Sequence, residues 1–336
     1  MSCLFITNLP GIALGRVLAP NEDVSIEVRR IASGDPLSGP VLANELSRRY
    51  LIFDAYVAGA RRVELHPLVL SDALHQAAVR AAEGVVATVG RVAMGAHRDA
   101  AERALYALDD HVARLCSASY EAGDLAALVR VDLLLGEDGQ WHACEINADC
   151  PGGHNESIAL PRLARAAGFF DGRNPTTMLE RLVERLASLA APRDDAPGIV
   201  ALIHATAYAE DMQVCAIVQR ALERRGVRAV LASPLAPRFD NGELRLGAEI
   251  VRVLYRYFPT EYMEGQRNLD DICRAVSTRR VRTLSSFAYM YMQSKLAFAR
   301  VWANEPLLDE PERKILRGHI PPVVRPRGDL PRPPRR

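Results

Sequence analysis

Two stretches of the chain gather oxygen-bearing side chains at strand spacing. Arg130-Val131-Asp132 sets a cation and a carboxylate two residues apart, and Glu145-Ile146-Asn147 does the same with a carboxylate and an amide. Residues two apart on a strand share a face. Gly136-Glu137-Asp138-Gly139 lies between them, and Asp138-Gly139 is a favoured two-residue hairpin turn. With the turn there, Asp132 faces Glu145 and Arg130 faces Asn147, while Val131 meets Ile146 and Leu133 meets Cys144 on the other side. The pattern predicts one apolar face packed inward and one polar face carrying Arg130, Asp132, Glu145 and Asn147.

Two carboxylates directly opposed across a strand pair repel each other. A divalent cation between Asp132, Glu145 and Asn147 would offset that. An all-oxygen donor set suits Mg²⁺, which keeps waters or substrate phosphates in its shell. Zinc is disfavoured, because this register turns Cys144 to the apolar face. The alternative is a surface ion-pair cluster of Arg130 with the two carboxylates, and spacing alone does not choose between them. The loop Asp149-Cys150-Pro151-Gly152-Gly153-His154 then runs into a helix. Gly152 and Gly153 let backbone amides approach a ligand, and a helix N-terminus favours anions; a plain turn is the alternative.

A second group lies further on. His204, Thr206, Tyr208, Glu210 and Asp211 follow an apolar strand, at the kind of edge where open α/β sheets bind ligands. Helix capping explains Thr206, Glu210 and Asp211 equally well. Arg256 and Glu261 end the next strand and either join that pocket or pair with each other. The chain has only two lysines, Lys295 and Lys314. A P-loop is therefore excluded, and Lys295 reads as a solvated residue in mid-helix. His66, His97, His111 and His142 share no metal spacing.

The elements that must position these groups follow from periodicity. Ser71 caps a helix with Leu74, Ala78, Ala81, Val85 and Val89 on one face, and a second helix is expected near 98–117. Strands are expected at 128–135 and 141–147, and helices at 155–168 and 176–190. A Pro-rich linker at 191–198 leads into a β-α-β unit: strand 199–204, helix 210–225, strand 227–232. Strand 250–257 and helices at 285–303 and 309–319 complete the pattern. The chain has 336 residues, 49% apolar and 25% charged, with net charge +1, so no chain-wide nucleic-acid or membrane footprint is expected. No apolar run reaches the roughly 18 residues that cross a bilayer. The start lacks a basic leader, and the six cysteines form no CxxC pair, which points to reduced thiols and a cytoplasmic protein. The Pro/Arg-rich end, 321–336, reads as a solvated tail or a basic arm.

Arg130-Val131-Asp132, Glu145-Ile146-Asn147-Ala148-Asp149 and Pro151-Gly152-Gly153 together resemble the R-x-D … E-x-N-x-D-x-P-x-G signature of glutathionylspermidine synthase-like proteins, the circularly permuted ATP-grasp ligases. Supporting pieces run in the same order: Leu65 to Ser71, Ala209-Glu210-Asp211, Tyr255 to Glu261, Ser294-Lys295-Leu296, and Glu312 through Pro321. The resemblance implies an α/β (α+β) fold of circularly permuted ATP-grasp type, with a helical N-terminal region, an antiparallel hairpin sheet and an inserted β-α-β pre-ATP-grasp-like domain. Its implied parts are an N-terminal segment (1–40), a partial ATP-grasp domain with the hairpin (41–190), the β-α-β domain (198–283), a helical return (284–320) and the tail (321–336).

The resemblance also implies roles. Asp132, Glu145 and Asn147 would hold Mg²⁺ against ATP phosphates. Arg130 would steady charge on the transferred phosphoryl group. Gly152 and Gly153 would contact the nucleotide, and Glu210, Asp211, Arg256 and Glu261 the substrate. The reaction joins a small-molecule carboxylate to an amine or peptide through an acyl phosphate. In the family the nucleotide-gripping lysines and glycine-rich strands follow the Ile320-Pro321 motif, so 336 residues are expected to bind ATP weakly alone, or with a second chain supplying that half. Two competing functions are a non-catalytic binding protein or partner subunit derived from such a ligase, and a Mg²⁺-dependent hydrolase using Asp132 and Glu145. The hydrolase is weakest, since no His or Ser nucleophile accompanies the carboxylates.

Overall fold

The computed structural model describes residues 41–323 except 54, 64–67, 167–176 and 192–197, plus the backbone of Ser2–Phe5, Val17–Leu18, Ser25–Val28 and Pro40; at Val57, Ala60, Arg61, Leu68 and Val69 only the backbone is described. The bulk of the expected linker, the Pro/Arg-rich end beyond Val323, and His66 lie outside the described residues.

Two sheets organise the molecule. The first has three strands, with Val129–Leu135 in the middle, Ser2–Phe5 parallel to it on one side and Trp141–Asn147 antiparallel on the other. The second has six. Its parallel part runs Ala229–Ala232, Ile199–His204, Glu249–Tyr257, Arg282–Leu284, and the antiparallel strands Glu243–Leu246 and Arg238–Asp240 extend it beside the start of Glu249–Tyr257. Every residue of Ile199–His204 is buried. Ile199, Ala201 and Ile203 face one apolar core and Val200 and Leu202 the other, as expected for a strand covered on both sides.

The long helix Asp72–Ala93 begins at the expected cap, with Leu74 N donating to Ser71 Oγ at 3.2 Å. Its buried Ala78, Ala81, Val85 and Val89 share one core with Val131, Leu133, Trp141, Ala143 and Ile146 of the first sheet. Trp141 Nε1 donates to Leu74 O at 3.2 Å. The helix Glu310–His319 is started by a reciprocal capping box between Asp309 and Glu312. It packs on the long helix where Gly84 has no Cβ, and Ile315 fills that space. His319 Nδ1 meets Trp141 O at 2.8 Å.

Three expectations need correction. The single helix near 98–117 is two, Ala100–Leu105 and Asp110–Glu121, because Asp99 and Asp109 each cap a new start and Ala107 between them has φ +49°. The helix at 285–303 is likewise broken: Met290–Gln293 ends, and Ser294 caps a fresh helix, Lys295–Ala303. The strands Arg238–Asp240 and Glu243–Leu246, the helix Leu269–Ser277 and the strand Arg282–Leu284 go beyond the elements read from periodicity.

Candidate functional site

The hairpin turn is not the two-residue one expected. Gly136 N donates to Gln140 O at 2.8 Å and Gly139 has φ +73°, so Glu137-Asp138-Gly139 forms a three-residue loop. The first pairs after it are Leu135–Trp141, Leu134–His142 and Leu133–Ala143. Continued without change, that register would set Asp132 against Cys144. A bulge intervenes between Asp132 and Leu133, and beyond it Asp132 pairs with Glu145, Val131 with Ile146 and Arg130 with Asn147. The bulge adds one residue to one strand, and that residue is Cys144. Its side chain is exposed rather than on the apolar face, which corrects the expectation. Val131, Leu133, Ala143 and Ile146 are buried, and the polar face opposite is half-exposed.

Charge on that face is balanced by the chain's own cations. The Arg130 fork grips Asp132, with Nε to Oδ1 at 2.7 Å and Nη2 to Oδ2 at 3.0 Å. Lys295 Nζ lies 2.8 Å from Glu145 Oε2 and donates to Cys144 O at 2.7 Å. Lys295 is therefore the first residue of a helix rather than a mid-helix one, and while solvent-exposed as expected it is also bound at the hairpin. The bond to Lys295 leads the causes that hold the Glu145 carboxyl below its ordinary pKa. Burial alone would lower the Arg130 pKa, but the bond to Asp132 and the charges of Asp132 and Glu145 outweigh it and raise it. Asn147 adds to the lowering at Glu145 through its side-chain amide, whose Nδ2 is buried.

Among the described residues no group of three or more His, Cys, Asp or Glu is placed to hold a metal ion. A two-carboxylate site is nonetheless the kind Mg²⁺ uses, because that ion takes one or two carboxylates and completes its shell with water and phosphate. The donor chemistry of Asp132, Glu145 and Asn147 fits it, because all three bring side-chain oxygens to one half-exposed face.

The loop after the hairpin is clamped from behind. Gln293 Oε1 accepts from Ala148 N at 3.2 Å and Asp149 N at 2.8 Å. The buried Asp149 carboxylate accepts from Thr260 N and Thr260 Oγ1, both at 2.7 Å, and pairs with Arg256. Gly153 has φ +84°, and a Cβ on Gly152 would lie 3.0 Å from Tyr257 Oη. Arg130 Nη1 reaches Gly152 O at 3.4 Å. His154 opens the helix His154–Ala166 with its ring 5.7 Å from that of Tyr257. Burial, helped by the Arg130 charge, pushes its pKa down to about 4. Burial raises the Tyr257 phenol well above its ordinary value, with further effects from Glu210, Cys150 and Asp211.

The expected substrate contacts divide. Arg256 is 1% exposed; besides Asp149 it donates to Phe258 O at 2.8 Å and Ser285 O at 3.2 Å and lies 4.5 Å over the Phe287 ring. It is an internal strut, and the expectation that it faces substrate is corrected: a guanidinium inside the sheet edge is held by fixed acceptors. Glu210 and Asp211 begin the helix Ala209–Glu223, past the carboxyl end of Ile199–His204. Asp211 is half-buried, which raises its pKa, partly offset by the Ala205 N–H and by His204. Glu261 is exposed, one residue after Thr260. Lys295, Gln293, His154 and Tyr257 were not singled out from the sequence as site residues. The scarcity of lysine and the Ser294-Lys295-Leu296 piece of the resemblance were the signals pointing to Lys295.

No protein-family model and no curated protein matches the sequence. Among solved structures, a glutathione synthetase-like effector from Globodera pallida in its apo form superposes with a TM-score of 0.50 at 15% sequence identity. The match covers 79% of this chain and 65% of that one, so the chain spans about two-thirds of that neighbour's length. The mixed α/β fold is thus similar to that of a glutathione synthetase-like protein. No described helix is long and apolar enough to cross a membrane.

Proposed function

We propose that the chain carries the metal-handling hairpin of an ATP- and Mg²⁺-dependent carboxylate–amine ligase with circularly permuted ATP-grasp organisation. The observation that carries this reading is Asp132 opposite Glu145, with Asn147 and Arg130 on the same face. The likeness of fold to a glutathione synthetase-like protein supports it. Mg²⁺ held there would supply positive charge to nucleotide phosphates. Asp132, Glu145 and Asn147 would hold the ion through oxygen. Arg130 steadies negative charge developing on the phosphoryl group as it passes to the carboxylate. The backbone at Gly152 and Gly153 would contact the phosphates. Glu210, Asp211 and Glu261 would present negative charge to an incoming ammonium group. After it gives up a proton to solvent, the neutral amine would attack the acyl carbon, the acyl C–O bond to phosphate would break, and phosphate would leave as the amide forms.

A second reading has its own observation. Asp132 and Glu145 are already neutralised by Arg130 and Lys295. A binding protein or partner subunit derived from such a ligase needs no metal there.

One experiment separates the readings. The Tm is followed against MgCl₂ at matched ionic strength, and ADP release from ATP is scored across a panel of carboxylates and amines. The ligase reading expects a Mg²⁺-dependent rise in Tm that Asp132→Asn and Glu145→Gln abolish, together with ADP release. A Mg²⁺ response that survives both substitutions overturns the hairpin assignment. No Mg²⁺ response and no ADP release select the binding reading, whereas a response that depends on both carboxylates but brings no ADP release keeps the metal site and overturns the ligase activity.

A further inference from the structure

The bulge and Lys295 form one device. An extra residue in one strand leaves its carbonyl outside the ladder. Here that carbonyl is Cys144 O, and Lys295 Nζ takes it at 2.7 Å while also reaching Glu145 Oε2 at 2.8 Å. The ammonium therefore sits at the hairpin edge, bonded to the very residue that opposes Asp132.

Its position is built rather than incidental. Ser294 caps the helix Lys295–Ala303, Leu296 N donating to Ser294 Oγ at 3.2 Å, which fixes where the first residue of that helix stands. Two residues earlier, Gln293 Oε1 binds the backbone of Ala148 and Asp149 on the same side of the hairpin. Residues 293–295 thus grip the second strand at Cys144–Glu145 and again just past its end. The Lys295 side chain is 65% exposed and that of Glu145 39% exposed, so the ammonium can leave without breaking a core contact.

We propose that Lys295 is a built-in counter-ion that competes with Mg²⁺ for Glu145 and so sets how weakly the hairpin binds the metal. This rests on the metal reading of the hairpin given above. With no metal, Lys295 offsets the repulsion between Glu145 and Asp132. For a dication to use Glu145, Lys295 must give up the carboxylate and tolerate a second positive charge nearby. Both requirements weaken metal binding, and both vanish when the charge is removed. Separations of a few Å in a half-exposed setting make the combined effect about tenfold in affinity.

The test uses Mg²⁺ alone as probe and the rise of Tm with MgCl₂ at constant ionic strength as readout, which needs no turnover. Lys295→Met is expected to lower the half-saturating Mg²⁺ concentration about tenfold. Lys295→Gln, a second uncharged variant, does the same. Lys295→Arg keeps the charge and stays within about twofold of the parent. Glu145→Gln combined with Lys295→Met shows no gain over Glu145→Gln alone. Unchanged or weaker Mg²⁺ binding in both uncharged variants overturns the counter-ion role. If that happens while Glu145→Gln still abolishes the parent's response, the hairpin assignment stands and only this inference fails. If no variant and no parent responds to Mg²⁺, both fail together.

Discussion

Replacing Asp149 by Asn is expected to be among the most damaging near-isosteric changes in the chain. The carboxylate is 1% exposed, accepts two hydrogen bonds from Thr260 and pairs with Arg256, itself 1% exposed. Asparagine keeps the shape but removes the charge and turns one acceptor into a donor. Arg256 is then left as a buried cation with only the carbonyls of Phe258 and Ser285. Removing one partner of a buried pair costs about 3–5 kcal/mol, most of it the penalty of the stranded charge. At about 2 °C per kcal/mol for a chain of this size, the Tm falls by roughly 6–10 °C. Urea unfolding followed by far-UV circular dichroism measures the loss directly. Arg256→Met strands no cation, so the double variant Asp149→Asn/Arg256→Met is expected to be more stable than the two single losses added together, by about 2–3 kcal/mol. A loss under about 1 kcal/mol for Asp149→Asn, or simple additivity in the double variant, would refute the view that this pair ties the hairpin loop to the sheet.

Three further outcomes follow from neighbouring geometry. Gly152→Ala places a methyl 3.0 Å from Tyr257 Oη, so a loss of about 1–2 kcal/mol is expected, and a smaller loss in a Tyr257→Phe background; equal losses in both would show that the phenol is not the obstacle. His154 has a folded pKa of about 4 against an ordinary 6.5. The unfolded chain therefore binds the extra proton, and stability falls as pH drops from about 6.5 towards 4, by up to about 3 kcal/mol. His154→Phe should flatten that part of the urea-midpoint profile, and a curve that overlays the parent's would count against it. N-ethylmaleimide is expected to label the exposed Cys144 before the buried Cys116 and Cys215. Burial first, and the Asp132 charge after it, raise the Cys144 pKa, so its rate keeps climbing above pH 9; mass spectrometry showing Cys116 or Cys215 modified first would sink this.

The β-α-β unit and the long capped helix were legible because their signals are local. Continuous apolar strands such as Ile199–His204 and a Ser71 cap ahead of a 3.6-residue stripe carry their own instructions. Asn241-Gly242 was also a local signal. Both residues take positive φ between Arg238–Asp240 and Glu243–Leu246, and reading it as a hairpin turn would have recovered two strands. The breaks at Asp99, Asp109 and Ser294 were harder. An acidic or hydroxyl residue inside an apolar stripe reads as part of the exposed face, unless its side chain turns back to cap.

At the hairpin, the sequence by itself determined which side chains share a face, because alternation along a strand is a property of the backbone. It also placed Asp132 opposite Glu145, although by a route the structure replaces: a three-residue turn shifts the register and the bulge at Cys144 shifts it back. The Arg130–Asp132 contact lies within one strand and was open to the sequence, but tertiary structure alone decided the longer-range charge partners. Lys295 arrives from 150 positions away and Arg256 turns inward to Asp149 across more than a hundred. No periodicity encodes such meetings. They exist because burying apolar faces elsewhere brings these helices and sheet edges together, and each unpaired charge or carbonyl then takes whatever partner the packing delivers.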